Sequence, residues 1–213
     1  TGAQRSMPEG IPGSDRDFVF SGEEMRALVL SESHPGLKRK TNTFTRLMVK
    51  AGALTGVTSV PELVRQASKL WLPLGKNITI IGSELVGLEL AEFLAERGRT
   101  VTVMDQPSDV GQGLYLVRRL RLMEELDLLG VILIRKANDI AIENHKVSYT
   151  NSRGQVRSLK TDHVIVAKGA SGDTSLAETF KEAGFTTHTI GDCDGISYIE
   201  GAMESAAELA ASL

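Results

Sequence analysis

Residues 78–105 read ITIIGSELVGLELAEFLAERGRTVTVMD. The apolar run 78–81 stops at Gly82, a tight turn follows, and a segment of helical period opens near Leu85. A second apolar run, 101–104, closes on Asp105. Strand, Gly-bearing turn, helix, strand and a terminal acid about twenty residues on make up the β-α-β layout of a dinucleotide-binding unit. Gly82 suits the tight turn, and Gly87 suits the close approach of helix to strand. Between them Glu84 stands where a second glycine is expected. The N–H groups of Ser83, Glu84, Leu85 and Val86 would face a diphosphate at the positive end of the helix. A carboxylate at position 84 would repel that diphosphate unless its side chain turns to solvent. The unit is therefore either a working nucleotide site or a layer kept for packing. Asp105 is placed to accept hydrogen bonds from ribose hydroxyls, which favours NAD over NADP, and the alternative is an ordinary strand-end turn residue.

Outward from this block, Pro73 and Gly75 punctuate its start, and Gly98 is a C-cap for its helix. In that helix Val86, Leu90, Phe93 and Leu94 share one face, opposite Glu89, Glu92 and Glu96. A further helix is expected over 114–129, closed by Gly130, then a strand over 131–134. Its Arg118, Arg119 and Arg121 would either neutralise phosphate or form a solvated face with Arg121 paired to Glu125. Three runs, 139–142, 146–150 and 155–160, read as an antiparallel meander. A buried strand over 164–167, a helix over 175–183, a last strand over 186–190 and an Ala-rich helix complete the chain. Near the start, Ser21 and Glu24 have capping-box spacing and predict a helix to about Leu30. Residues 33–43 read as a basic loop, and 44–74 as two short helices packed as a lid. TGA at 1–3 echoes KGA at 168–170, as if each ended a strand of its own nucleotide unit.

The chain has 213 residues, 41% of them hydrophobic and 24% charged, and a net charge of -3. This is the composition of an ordinary globular protein with a sizeable core and argues against a nucleic-acid binder. No apolar run approaches the roughly 18 residues of a membrane span. Cys193 is the one cysteine, so the sequence holds no disulfide and no dithiol, and a reducing, cytoplasmic setting is expected. The four histidines have no ligand spacing, so no metal site is expected. At Gly191-Asp192-Cys193 the acid suits either a ribityl or ribose hydroxyl or a helix N-cap, and Cys193 reads as a small buried residue. The abrupt opening at Thr1 suggests a piece of something longer.

TGA (1–3), IPG (11–13), LPLGKNITIIGSELVGLELAEFLAERGRTVTVMD (72–105), VIVAKGA (164–170) and IGDC (190–193) together resemble the flavin-dependent pyridine-nucleotide oxidoreductases. The likeness is to the C-terminal FAD/NAD(P)-binding region of the 2,4-dienoyl-CoA reductase, trimethylamine dehydrogenase and old yellow enzyme-like group. It implies an α/β fold: a Rossmann-like parallel sheet flanked by helices, an antiparallel meander and a partial second Rossmann-like unit. Residues 1–33 and 171–213 would be pieces of an FAD-binding domain, 34–71 a helical insert or lid, and 72–170 the NAD(P)-binding domain. Thr1, Gly2, Ala3, Gly191, Asp192 and Cys193 would line the flavin or ADP edge. Ala167, Lys168 and Gly169 would lie near the nicotinamide. FMN, an iron–sulfur cluster and a barrel domain would belong to an N-terminal part outside this sequence. Electrons would pass from NADH to flavin in an enoyl- or dienoyl-CoA reductase-like enzyme. The trimethylamine dehydrogenase-like alternative has a vestigial nicotinamide site and hands electrons to a protein partner. A disulfide-reductase branch would need a dithiol upstream.

Overall fold

A computed structural model describes residues 2–5, 7–8, 10–30, 34–40, 72–112 and 114–213. They form two compact units, Met7–Ala167 and the combination of Thr1–Ser6 with Lys168–Leu213. The lid expected over 44–74 lies outside the described residues except for its last three.

The larger unit is built on a five-stranded sheet. The smaller unit opens the chain with β1 (Ala3–Arg5); the sheet then begins with β2 (Val19–Ser21). Two helices follow, α1 (Gly22–Leu30) and α2 (Leu37–Lys40). The expected β-α-β block forms as β3 (Asn77–Ile81), α3 (Leu85–Ala95) and β4 (Thr100–Met104). Next come α4 (Leu116–Leu128), β5 (Ile132–Ile134) and, after the meander, β9 (His163–Val166). The strand order is β2-β9-β3-β4-β5, and every pairing is parallel. Parallel strands covered on both faces lose the alternating polar pattern, which is why 78–81, 101–104 and 164–166 read as apolar runs broken only by Thr79 and Thr102.

Two clusters flank this sheet because alternate strand residues point to opposite faces. Ile78, Ile80, Val101, Val103 and Ile165 pack with Leu88, Ala91 and Leu94 of α3 and Leu122 and Leu126 of α4. Ile81, Met104, Val164 and Val166 pack with Ile142 and Val147. Each fully buried Leu contributes about 1.5–3 kcal/mol. In α3 the stripe against the sheet is Gly87, Leu88, Ala91 and Leu94. The face expected from Val86, Leu90 and Phe93 is offset from it, and those three are half-buried. The offset has a local cause: Gly87 must meet the strand end, and that fixes the helix's rotation. At α1 the capping box forms as expected, with the Ser21 N–H donating to Glu24 Oε2 at 2.9 Å and the Glu24 N–H to Ser21 Oγ at 3.2 Å. Glu24 also pairs with Lys40 Nζ at 2.6 Å, both side chains being buried.

The meander of β6 (Asn138–Glu143), β7 (Lys146–Thr150) and β8 (Val156–Lys160) is antiparallel throughout. The IPG stretch backs onto it: the Ile142 N–H donates to Pro12 O at 2.8 Å, and a Cβ on Gly13 would stand 2.1 Å from Ile142 O. Residues 11–21 thus belong with the five-stranded sheet and the meander, whereas the resemblance groups 1–33 with 171–213.

In the smaller unit β1 pairs antiparallel with β10 (Ala170–Gly172). TGA and KGA therefore lead into the two strands of one ladder. Then come α5 (Ser175–Glu182), a 3₁₀ turn at Gly191–Cys193 and α6 (Tyr198–Ser212). The strand expected over 186–190 does not form: no ladder partner flanks it among the described residues, and it runs as irregular chain with Thr187 and Thr189 half-buried and the rest exposed.

A polar cluster ties the entry of β3 to β9. The Gly75 N–H donates to His163 Nδ1 at 2.9 Å, and the Asn77 N–H donates to Asp162 Oδ2 at 2.8 Å. Burial pushes the His163 imidazole below its ordinary value, against an upward pull from Asp162 and with a smaller downward push from His145. The Asn77 N–H holds the Asp162 carboxyl below the usual carboxylate range. Both folded values are depressed, so both stabilising contributions are complete at neutral pH and are lost on acidification. The loss from His163 begins as pH falls through about 6.5, and that from Asp162 below about 4. We expect the urea midpoint to decline in these two stages. His163→Asn, whose Oδ1 can still accept from Gly75, should flatten the upper stage; an unaltered profile would refute the assignment. Thr79 is fully buried in β3, and its hydroxyl has no partner among the described residues. Thr79→Val should raise stability by about 1 kcal/mol in denaturant titrations.

Candidate nucleotide-binding site

The turn between β3 and α3 is closed from three sides. The Gly82 N–H donates to Met104 O at 3.0 Å, and the Gly111 N–H donates to Ser83 O at 2.7 Å. Gly82 has φ +123°, a conformation open to glycine and strained for other residues. The first intrahelical bond of α3 runs from the Leu88 N–H to Glu84 O at 3.1 Å. Gly87 lies in that first turn, where a Cβ would come 2.1 Å from Gly82 O and 3.5 Å from the Ala167 Cβ. The Ala167 N–H in turn donates to Ile81 O at 2.9 Å. The fold therefore gathers Gly82, Leu85, Val86, Gly87 and Ala167 at the carboxyl end of the sheet, beside a helix end whose first N–H groups lack intrahelical acceptors.

Glu84 is the N-cap residue of α3, exposed, and its carboxylate makes no hydrogen bond to the helix end. Ser83 and Asp105 depart from expectation. Asp105 is 2% exposed and Ser83 3%. Asp105 Oδ2 accepts from the Ser83 N–H at 2.8 Å and from the Ser83 hydroxyl at 2.9 Å. Asp105 Oδ1 accepts from the Gln106 N–H at 2.7 Å. The Ser83 N–H, expected on a diphosphate, is thus directed into the protein. The exposed group at this strand end is Gln106.

The arginines of α4 form a solvated network. Arg118 reaches Glu89 at 3.4 Å, Glu92 at 3.9 Å and Glu125 at 3.8 Å, and Arg121 pairs with Glu125 at 3.2 Å. Burial and a hydrogen bond with Glu125 raise the Glu92 carboxyl above its usual value. The same bond and Arg121 lower Glu125. Arg119 lies 4.0 Å from Asp109. These contacts match the solvated-face reading of the three arginines.

In the smaller unit Thr1 lies outside the described residues. Gly2 has φ +96° and Gly169 φ +88°, and Ala3 is exposed in β1. Lys168 and Gly169 are half-buried where the unit resumes. Gly191 has φ +68°, and its N–H donates to Ser205 Oγ at 3.1 Å. Asp192 Oδ1 accepts from the Ser197 and Tyr198 N–H groups, each at 2.9 Å, so this carboxylate caps α6. Cys193 is half-buried rather than buried, with Sγ 3.1 Å from Ile190 O. Among the described residues no group of three or more His, Cys, Asp and Glu side chains is gathered to hold a metal ion. No helix among them is long and apolar enough to cross a membrane.

The family model for pyridine nucleotide-disulphide oxidoreductases matches residues 1–195. The chain belongs to the pyridine nucleotide-disulphide oxidoreductase family. Members of this family are flavin-dependent NAD(P)H oxidoreductases that work with FAD. A bilirubin reductase of Mediterraneibacter gnavus is 32% identical over 123 residues, which are 58% of this chain and 19% of that protein. An NADH oxidase of Thermoanaerobacter brockii is 26% identical over 145 residues, 68% of this chain and 22% of that protein. The chain thus spans about a fifth of the length of these two relatives. A 2-naphthoyl-CoA reductase complex superposes on all of this chain with a TM-score of 0.64 at 19% identity, using 26% of its own length.

The turn fits the diphosphate of a pyridine nucleotide: the helix end is open, and neither Gly82 nor Gly87 carries a side chain in the way. On the smaller unit, Asp192 Oδ1 is engaged by the start of α6. The family's fingerprint spacing pointed to the turn. The Ser83–Asp105 and Ser83–Gly111 contacts had no signal in it, since they depend on how the turn folds back over the strand end. Gly87→Ala should destabilise the larger unit by about 1–3 kcal/mol, measured by denaturant unfolding, because the added Cβ meets backbone. An unchanged midpoint would mean that the helix start can retreat from Gly82.

Proposed function

We propose that the chain is the nucleotide-binding part of an FAD- and NAD(H)-dependent oxidoreductase, in which the larger unit receives NADH. The observation that carries this reading is the α3 start held against Gly82 with no side chain between them. Gly82 and Gly87 shape the turn. The N–H groups of Glu84 to Gly87 hold the diphosphate, and Ala167 borders the nicotinamide. When bound, the nicotinamide supplies hydride and FAD accepts it. Gly2, Ala3 and residues 191–193, with Thr1 before them, are proposed as the flavin-facing edge. A parent enzyme of the enoyl- or 2,4-dienoyl-CoA reductase type, cytoplasmic and with a barrel, FMN and an iron–sulfur cluster upstream, accounts for the small share of its relatives that the chain covers. The similarity to an NADH oxidase and the shared fold of a 2-naphthoyl-CoA reductase support this direction.

One feature favours a second reading, a trimethylamine dehydrogenase-like scaffold whose nicotinamide site is vestigial and whose electrons leave to a protein partner. That feature is Glu84, an exposed carboxylate at the end of the helix where the diphosphate would sit. Its repulsion of a diphosphate is about 1–3 kcal/mol at intermediate effective dielectric, and solvent screening reduces it. Calorimetric titration with NADH separates the readings. The wild-type chain should bind, and Glu84→Gly should bind up to about tenfold more tightly. No heat of binding from either protein would sink the NADH reading in favour of the scaffold.

A further inference from the structure

We propose that Asp105 is a positioning residue that holds the diphosphate turn through Ser83, and that the exposed Gln106 meets the adenosine ribose. The proposal rests on the reading that the larger unit binds NADH. An acid at the end of the second strand suggests a ribose ligand by its place in the sequence. Its surroundings point elsewhere. The carboxylate is 2% exposed, and both its oxygens are engaged, one by the N–H and hydroxyl of Ser83 and the other by the Gln106 N–H. Its own backbone is held as well, the N–H donating to Ile134 O at 3.0 Å and the carbonyl accepting from the Ala137 N–H at 2.9 Å. A buried carboxylate with three donors is a strong anchor, because an ionised acceptor roughly doubles the worth of each hydrogen bond.

What it anchors is the residue between the tight glycine and the helix. Ser83 is held from the other side too, its carbonyl accepting from the Gly111 N–H at 2.7 Å. Its N–H and hydroxyl both point at Asp105, so neither serves a ligand. Their work is to fix the peptide that leads into Glu84 and thus the direction of the free N–H groups at the start of α3. A turn that strayed would present those groups at changing angles, and diphosphate binding would weaken whatever the sugar carries.

Gln106 sits one residue on, exposed, where the chain leaves β4. Residues 105–107 run beside 134–137, joined by the Ala137–Asp105 bond and by the Lys136 N–H to Pro107 O at 3.3 Å. Arg135 and Lys136 are both exposed on that neighbouring segment. A neutral amide both donates and accepts. It can therefore meet a ribose 2′-hydroxyl or a 2′-phosphate without the repulsion of a carboxylate. With Asp105 withdrawn behind Ser83, the site should take NADH and NADPH alike, in place of the NAD preference that an exposed acid would impose.

The test is direct binding of NADH and of NADPH to the full chain and to Ser83→Ala, Asp105→Ala, their double variant and Gln106→Glu, with thermal midpoints recorded without ligand. Wild type should bind both dinucleotides within about threefold. Asp105→Ala should weaken both dinucleotides alike by about tenfold, and Ser83→Ala, which keeps the Ser83 N–H bond, should weaken both alike by a smaller factor. The double variant should be no worse than the weaker single, as expected for two groups acting as one contact. Ser83→Thr, which keeps the hydroxyl, should restore binding. Gln106→Glu should weaken NADPH selectively. Ser83→Ala covers the case in which Asp105→Ala fails to fold, since it removes one donor and leaves the carboxylate in place. Asp105→Ala improving NADPH relative to NADH by tenfold or more would overturn the proposal and restore the ribose role. Additive losses in the double variant would also overturn it. Failure of wild type to bind either dinucleotide, with the two sites still coupled in thermal stability, would instead overturn the NADH reading on which the proposal stands.

Discussion

The fold of the larger unit depends on one close approach, that of the first turn of α3 to the last peptide of β3. Gly87 comes so near to the Gly82 carbonyl that no Cβ fits between them. The approach sets the rotation of α3 on the sheet. Leu88, Ala91 and Leu94 follow Gly87 inward at helical spacing, and the glutamates are carried to the solvent side. The same approach exposes the free N–H end of α3 at the carboxyl edge of the sheet, where ligands of open α/β sheets bind. Packing and site therefore share one cause. The residues that surround the turn, Ala167 at the end of β9 and Asp105 at the end of β4, are drawn in by the two strands that flank β3.

Much of this was legible in the residues. The apolar runs 78–81 and 101–104 are readable because a strand covered on both faces has no reason to alternate. Ser21 and Glu24 marked a helix start because a capping box is a local contact that needs only three residues of spacing. What escaped was non-local. The contact of Asp105 is with Ser83, 22 residues earlier, and a strand-end acid looks the same in the sequence whether it faces solvent or the turn. Residues 186–190 have β-forming composition, but a strand exists only where a partner lies beside it. Asp192 has two readings in the sequence, and the contact with the Ser197 and Tyr198 N–H groups is set by the fold of the chain after it.

The two units differ in how well they are filled. The larger one buries long aliphatic side chains on both faces of its sheet. In the smaller one neither α5 nor α6 has a buried residue, and Phe180, Phe185, Ile199 and Met203 are exposed. Its defined contacts are mainly turns and caps: the β1–β10 ladder, Asp192 on α6, and the Gly191 N–H on Ser205.

The position of β9 in the sheet has a consequence for how the molecule is made. The β9 strand lies between β2 and β3, yet it pairs Val164 with Val19 and with Thr79. The β-α-β block is complete in sequence by residue 104, but its central strand has an open edge until residues 163–166 arrive. On a ribosome the nascent sheet must therefore wait, one ladder short, while the meander is synthesised. Contacts of such long sequence separation slow folding and prolong the exposure of unpaired edges. A chain stalled or cut before Val166 would present a bare apolar strand to the cell, and the meander, local and antiparallel, would be the part ready to fold first.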